Sequence, residues 1–239
     1  MHLETAAKMI ADASSVAVLT GAGVSTASGI PDFRSTTGLW TADEAREYYI
    51  SNHYFYKDPV DFWQKYKDIF RVKLLKDYGP NHVHRYLKEL EVHGKQITVI
   101  TQNVDGLHTI AGNEHVIEYH GTLNSATCPN CGSSYDLPYL LAADTPVCEK
   151  CEHVLKPDVV LFGDPITEHD KAEHAIHQSE LVLVLGTSLL VSPFNILPEY
   201  SNSLGKPSIL INREPTVMDD LFDIVIHDDL SKIVQQLQK

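Results

Sequence analysis

Cysteine is scarce in this chain of 239 residues, with only four present, and an excess of basic charge is missing altogether. Lys and Arg number 19 against 32 Asp and Glu, a formal net charge of -13. That balance argues against a protein that holds nucleic acid through a broad basic face. No apolar run approaches the roughly 18–20 residues that a bilayer span needs. The opening Met1-His2-Leu3-Glu4 lacks the basic start and apolar core of a secretory signal. These absences lead us to expect a cytoplasmic protein with no membrane and no direct nucleic-acid partner. What remains is ordinary for a globular chain: 43% hydrophobic and 21% charged residues. The length suits one large domain, or a main domain with a smaller inserted module.

The few cysteines are informative because of where they fall. Cys128 and Cys131 form one C-x2-C pair, Cys148 and Cys151 another, with sixteen residues between the pairs. Two disulfides are one reading, although such bridges suit small secreted domains better than a chain of this kind. Four thiolates in two such knuckles also fit tetrahedral zinc, which takes sulfur ligands readily. The expectation is one zinc ion per chain, in a closed and structural site.

Short apolar runs at residues 16–19, 97–101, 159–162, 181–185, 208–211 and 224–226 read as strands buried on both faces. Helical patterns at 3–13, 81–92, 167–178 and 230–237 alternate with them. This alternation predicts an α/β fold with a doubly wound, parallel, Rossmann-like sheet. Two stretches break the pattern. Residues 35–79 are rich in aromatics at helix-like spacing, and 122–156 hold the cysteines. We therefore expect a discontinuous main domain (1–34, 80–121 and 157–239) and a smaller domain. The latter combines a helical module (35–79) with a zinc-binding module (122–156). A cleft between the two, at the carboxyl ends of the strands, is the expected site.

One apolar run ends directly in Thr20-Gly21-Ala22-Gly23, with small residues continuing into an expected helix. A G-x-G turn lets backbone N–H groups approach a pyrophosphate, but Thr26 replaces the third glycine of the dinucleotide fingerprint. A tight turn alone explains such a pair equally well. The longer run GAGVSTASGIPDFRS, residues 21–35, is far more specific. It resembles the cofactor-loop signature of the sirtuins, the NAD-dependent protein lysine deacylases. The resemblance continues in order through TQNVDGLH (101–108), His120-Gly121, the two cysteine pairs, KPDVVLFGD (156–164), Gly186-Thr187-Ser188-Leu189 and Ile211-Asn212-Arg213-Glu214-Pro215. It spans nearly the whole chain. With no extended arms, the chain is most similar to compact bacterial-type members.

What the resemblance implies can be stated residue by residue. Ala22 and Thr26 are expected at the phosphate and ribose part of an NAD site. Phe33 and Arg34 lie over the nicotinamide ribose. Gln102 and Asn103 bond its hydroxyls or a nearby water, and Val104 and Asp105 form the nicotinamide pocket. Thr187, Ser188, Asn212 and Asp229 hold the adenosine end, although His227-Asp228-Asp229 is only loosely similar to the family's motif. His120 matches the catalytic base; an imidazole titrates near neutrality, which suits taking a proton from a ribose hydroxyl. His84 and His108 are expected to be structural. Val160, Phe162 and Gly163 match the strand edge that pairs with an extended substrate peptide, a mode that demands little sequence.

The implied reaction consumes its cofactor. The acyl-lysine carbonyl oxygen attacks the ribose carbon that carries nicotinamide, His120 then activates a ribose hydroxyl, and free lysine and O-acyl-ADP-ribose result. The partners are acetylated-lysine proteins or peptides. Members that prefer succinyl or malonyl groups carry a Tyr-x-x-Arg pair, whereas here Tyr66 is followed at that spacing by Ile69. Neutral acyl groups are therefore expected. A mono-ADP-ribosyltransferase on the same fold is the alternative, followed by a non-catalytic NAD-binding module and a zinc-ribbon nucleic-acid binder.

Overall fold

The structure is a computed structural model and describes residues 2–31, 45–75 and 78–238. Nine strands are present among these residues: β1 (Ser15–Thr20), β2 (Gln96–Thr101), β3 (His115–Glu118), β4 (Gly121–Thr127), β5 (Ser134–Asp136), β6 (Lys156–Val159), β7 (Leu181–Leu185), β8 (Ser208–Asn212) and β9 (Ile224–His227). Six of them form one parallel sheet in the order β3-β2-β1-β7-β8-β9. This is the strand order of the doubly wound dinucleotide-binding fold.

The helices are α1 (His2–Asp12), α2 (Ala45–Tyr49), α3 (Asn52–Lys57), α4 (Pro59–Leu75), α5 (His82–Val92), α6 (Leu107–Ile110), α7 (Leu137–Ala142), α8 (His169–Gln178), α9 (Ile196–Ser203) and α10 (Leu230–Leu237). Strand alternation turns the side chains of the sheet toward helices on both faces. Val16 and Val18 of β1 point into one core with Ala6, Leu87 and Val234 from α1, α5 and α10. Ala17 and Leu19 point into the opposite core with Ala172, Ile176 and Leu197 from α8 and α9. Burial on both faces explains why β7 reads as an unbroken Leu-Val-Leu-Val-Leu.

A third core lies outside the sheet. Phe62, Trp63, Tyr66 and Phe70 of α4 pack with Leu123, Ala126, Cys128, Cys148 and Leu155. The Trp63 indole N–H also donates to the Leu155 carbonyl at 2.8 Å. The helical and cysteine-bearing insertions therefore share one apolar interior, each covering surface the other would expose.

Two local expectations need correction. Residues 159–162 are not a strand of the parallel sheet. Only Val159 belongs to a strand, at the end of β6, which pairs antiparallel with β4 in a second sheet of order β5-β4-β6. Alternate burial shows the reason: Val159 and Leu161 are buried whereas Val160 and Phe162 are not, so only one face is covered. The sixth parallel strand is β3. Nor do the small residues after Gly21 enter a helix; they make two 3-10 turns, Ala22–Val24 and Thr26–Ser28, ended by Gly29 at φ +85°.

Candidate active site

Where β1 and β7 lie side by side, the strand order reverses, and their carboxyl ends open a crevice. Two glycine turns meet there backbone to backbone. Gly21 N–H donates to Leu185 O at 3.1 Å and Gly23 N–H to Gly186 O at 2.9 Å. A Cβ on Gly23 would sit 2.8 Å from the Gly186 Cα, and Gly186 itself stands at φ +59°. Side chains are thus excluded from the floor of the crevice by contact, which goes beyond what a tight turn requires. Asn81, the N-cap of α5, braces the first turn by donating to Val24 O at 2.8 Å and Ser28 Oγ at 2.9 Å.

The crevice is a cleft of about 930 Å³. Ala22, Thr26, Gln102, Asn103, Val104, His120, Val160, Phe162, Gly163, Thr187, Ser188, Asn212 and Asp229 all line it. Residues scattered over two hundred positions of sequence are thus brought to one wall-to-wall site. Asp105 is the exception among the described residues. Its carboxylate accepts from Ser25 Oγ at 2.7 Å and from Leu107 N at 3.0 Å, behind the cleft lining. Phe33 and Arg34 lie outside the described residues.

The end of β2 supplies the most ordered part. Gln102 Nε2 donates to Thr187 Oγ1 at 2.8 Å, linking the ends of β2 and β7 across β1. Asn103 is buried, lines the cleft, and donates to Gly21 O at 3.0 Å and Ser25 Oγ at 3.1 Å. His120 follows β3, half-buried, with Nδ1 3.2 Å from Gln102 O. In the tautomer that donates this bond, the basic lone pair sits on Nε2. Its own carbonyl accepts from Val160 N at 2.8 Å, so His120 and the Val160–Gly163 segment are fixed to each other.

The cleft carries features suited to a dinucleotide. Among the described residues, no protein acceptor meets the main-chain N–H of Ala22, Thr187 or Ser188. Such N–H groups beside a glycine turn fit phosphate and ribose oxygens. At the other end, Arg213 pairs with Asp229 at 2.5 Å, and Asp229 also caps α10. Burial raises the Asp229 pKa, but Arg213 and the helix amides outweigh it and hold the carboxyl below its usual range. Arg213 and Glu214 line the cleft and are missed as site residues from sequence, although their place directly after Asn212 at a strand's end was the available signal. Ile30, Ile50 and Phe70 also line it, giving one wall an apolar surface.

The cysteines gather as a second, separate centre. All four sulfurs lie within 4.8 Å of one another. Cys128 and Cys151 approach to 3.5 Å, Cys131 and Cys148 to 3.4 Å. A disulfide needs about 2.05 Å, whereas sulfurs bound at about 2.3 Å around tetrahedral zinc stand well apart. The two knuckles share one backbone plan: Gly132 N–H returns to Cys128 O and Glu152 N–H to Cys148 O, both at 2.9 Å. Gly132 and Glu152 both take positive φ, +72° and +61°. The donor set fits one zinc ion and leaves no ligand position facing the cleft.

Comparison with known proteins agrees with this arrangement. The model of the Sir2 family matches residues 21–193. A Geobacillus kaustophilus protein, NAD-dependent protein deacetylase 2, is 48% identical over 98% of this chain and 95% of its own length. An NAD-dependent protein deacetylase of Chromobacterium violaceum is 46% identical, over 99% and 97% respectively. A Sir2 structure with a deacetylated p53 peptide and 3'-O-acetyl ADP-ribose superposes with a TM-score of 0.89 at 30% identity, covering 100% of this chain and 98% of that one. Motif order, sheet order and whole-length similarity lead to one conclusion: the chain belongs to the Sir2 family.

Proposed function

We propose that this protein removes acetyl and other neutral acyl groups from protein lysines, consuming NAD and releasing nicotinamide and O-acetyl-ADP-ribose. The observation that carries the reading is the placement of His120. It joins the glycine-floored half of the cleft to the Val160–Gly163 edge through its ring and its carbonyl. NAD, when bound, supplies an electrophilic ribose carbon and a leaving group. The chain's own residues do the rest. Ala22, Thr26, Thr187 and Ser188 hold phosphate and ribose, Asn212 and Asp229 the adenosine end, and Gln102, Asn103 and Val104 the nicotinamide half. Asp105 supports that half from behind through Ser25. His120 Nε2 takes the ribose proton. The remaining work is to hold two reactants in attack geometry away from water.

The peptide edge is open where it needs to be. Among the described residues, the Val160 carbonyl and both main-chain groups of Gly163 have no main-chain partner, so an extended peptide can pair there. Phe162 directs its main-chain groups to Ile50 and Asn52 instead, and its ring, 42% exposed, flanks the lysine stem. We divide the chain as expected from its sequence, with 1–34, 80–121 and 157–239 binding NAD and 35–79 and 122–156 forming the smaller part. No helix among the described residues is long and apolar enough to cross a membrane. We place the enzyme in the cytoplasm, acting on acetylated proteins or peptides by acyl transfer to ADP-ribose.

The direct test incubates the protein with NAD and an acetyl-lysine peptide and follows peptide mass and nicotinamide together. Loss of the acetyl mass with matching nicotinamide release is expected. Nicotinamide release with ADP-ribose added to protein would replace this reading by ADP-ribosyl transfer.

A further inference from the structure

The loop that presents the peptide edge is held by one carboxylate. Asp164 accepts from Lys156 Nζ at 2.6 Å and from Leu161 N at 3.0 Å, and its other oxygen accepts from the Asn52 side chain. Its own N–H returns to Leu161 O at 2.9 Å. The side chain is only 9% exposed, and that of Lys156 21%. Asp164 therefore ties together three pieces of chain: the end of the zinc module at β6, the peptide edge, and the start of α3 in the helical module. Next to it, Phe162 N–H donates to Ile50 O at 3.0 Å and Asn52 N–H to Phe162 O at 2.9 Å. Each of these bonds to Ile50 and Asn52 lies within two residues of this carboxylate.

We propose that Asp164 is a positioning residue that sets the height and angle of the Val160–Gly163 edge for the acyl-lysine peptide. The inference rests on the deacetylase reading given above. A carboxylate suits the task because its two oxygens accept several donors at once, and an ionised acceptor strengthens each bond. Gly163 stands at φ +91°, and a glycine has no Cβ to hold it in one backbone region, so the cross-ties must fix the edge. Loosening the clamp leaves the NAD half of the cleft untouched, since Asp164 shares no hydrogen bond with Gly21, Gln102, Asn103 or Thr187. The consequence is selective: peptide affinity falls while NAD affinity holds.

The test compares wild type with Asp164→Asn and Asp164→Glu, measuring KM for acetyl-lysine peptide, KM for NAD, kcat, and hydrogen exchange at the Leu161 and Phe162 amides. Asp164→Asn is expected to raise the peptide KM about tenfold with kcat within about threefold and the NAD KM unchanged. Faster exchange at both amides accompanies it. Asp164→Glu, which keeps the charge, recovers most of the loss. An unchanged peptide KM, or a fall in kcat alone as expected of a damaged fold, overturns the proposal. Should Asp164→Asn not fold, Asn52→Ala removes one arm of the clamp and must still raise the peptide KM and quicken Phe162 exchange. A wild type that does not turn over acetyl peptide counts against the deacetylase reading itself; the exchange rates, which need no substrate, then decide the clamp.

Discussion

The imidazole rings of His84 and His108 lie 4.7 Å apart, both buried beneath the first glycine turn. His108 Nε2 is 3.1 Å from the hydroxyl of Thr20, the residue that leads into Gly21, and His84 Nδ1 accepts the Asn81 N–H. Burial lowers the His84 pKa to about 4, helped by Arg85 and His82. Burial and the neighbouring His84 lower that of His108 to about 3, against an opposing pull from Asp105 and Asn113. Both are neutral in the folded protein, while in the unfolded chain they titrate near 6.5.

Stability should therefore fall on acidification well before the carboxylates titrate. Above about pH 6.5 neither histidine binds a proton in either state, and no penalty exists. Below it the unfolded chain gains protons that the fold refuses, costing about 1.4 kcal/mol per pH unit for each histidine. The penalty keeps growing until pH reaches the folded values. Urea midpoints at pH 7 and pH 5.5 should differ clearly, and His108→Gln should flatten the dependence. A flat profile in wild type would mean that the pair is protonated or solvated.

Replacing His120 by Ala should lower deacetylation about 10²–10⁴-fold, the range expected when a general base is lost. The ring nitrogen Nδ1 lies 3.2 Å from Gln102 O, and the backbone carbonyl, which anchors Val160, survives the change. NAD binding and melting temperature should move little. Turnover near that of wild type in a preparation free of contaminating enzyme would remove His120 from the mechanism.

Elemental analysis should find one zinc per chain. Cys128 and Cys148 are buried in the core shared with α4, so Cys148→Ser should reduce solubility and cooperative unfolding, with activity lost as a result. Full activity after complete removal of zinc would contradict a structural role.

Acetyl-lysine should be preferred over succinyl-lysine by about tenfold or more in kcat/KM, a gap of about 1.4 kcal/mol. The nearby lysines are engaged elsewhere: Lys67 Nζ donates to Leu140 O at 2.7 Å and to Ala143 O, and Lys65 lies over the Tyr49 ring. Ile69 packs against the apolar core one residue before Phe70, which lines the cleft. Among the described residues no unengaged cation stands beside Ile69 for a succinyl carboxylate, and burying that charge unpaired is costly. Ile69→Arg should narrow the gap. Equal turnover of matched acetyl and succinyl peptides by wild type would show a cation in the pocket.

Much of this was legible in the sequence because the signals were local. Apolar runs named five of the six parallel strands, and the spacing of the cysteines pointed to metal. The misplaced run at 159–162 shows the limit: an apolar stretch does not say whether one face or both will be covered. β3 was passed over because its four residues, His115–Glu118, begin and end on polar side chains and lie at the sheet edge. The contact between Gly23 and Gly186, and the bond from Asp164 to Asn52, join positions far apart in the chain. No window of sequence contains them.

The pairing of β1 with β7 has a consequence for how the protein comes into being. Val16 aligns with Leu181, so the central strand must wait for a partner made some 165 residues later. At about 5–20 residues per second, synthesis leaves one edge of β1 uncovered for roughly 8–30 seconds. β2 arrives earlier and protects the other edge. From the arrival of β2 until that of β7, Ser15–Thr20 is a half-paired apolar ribbon, a template for unwanted association with other chains. Yield of the native enzyme thus depends on what shields six residues before β7 emerges, which makes the nascent chain more vulnerable than the finished molecule.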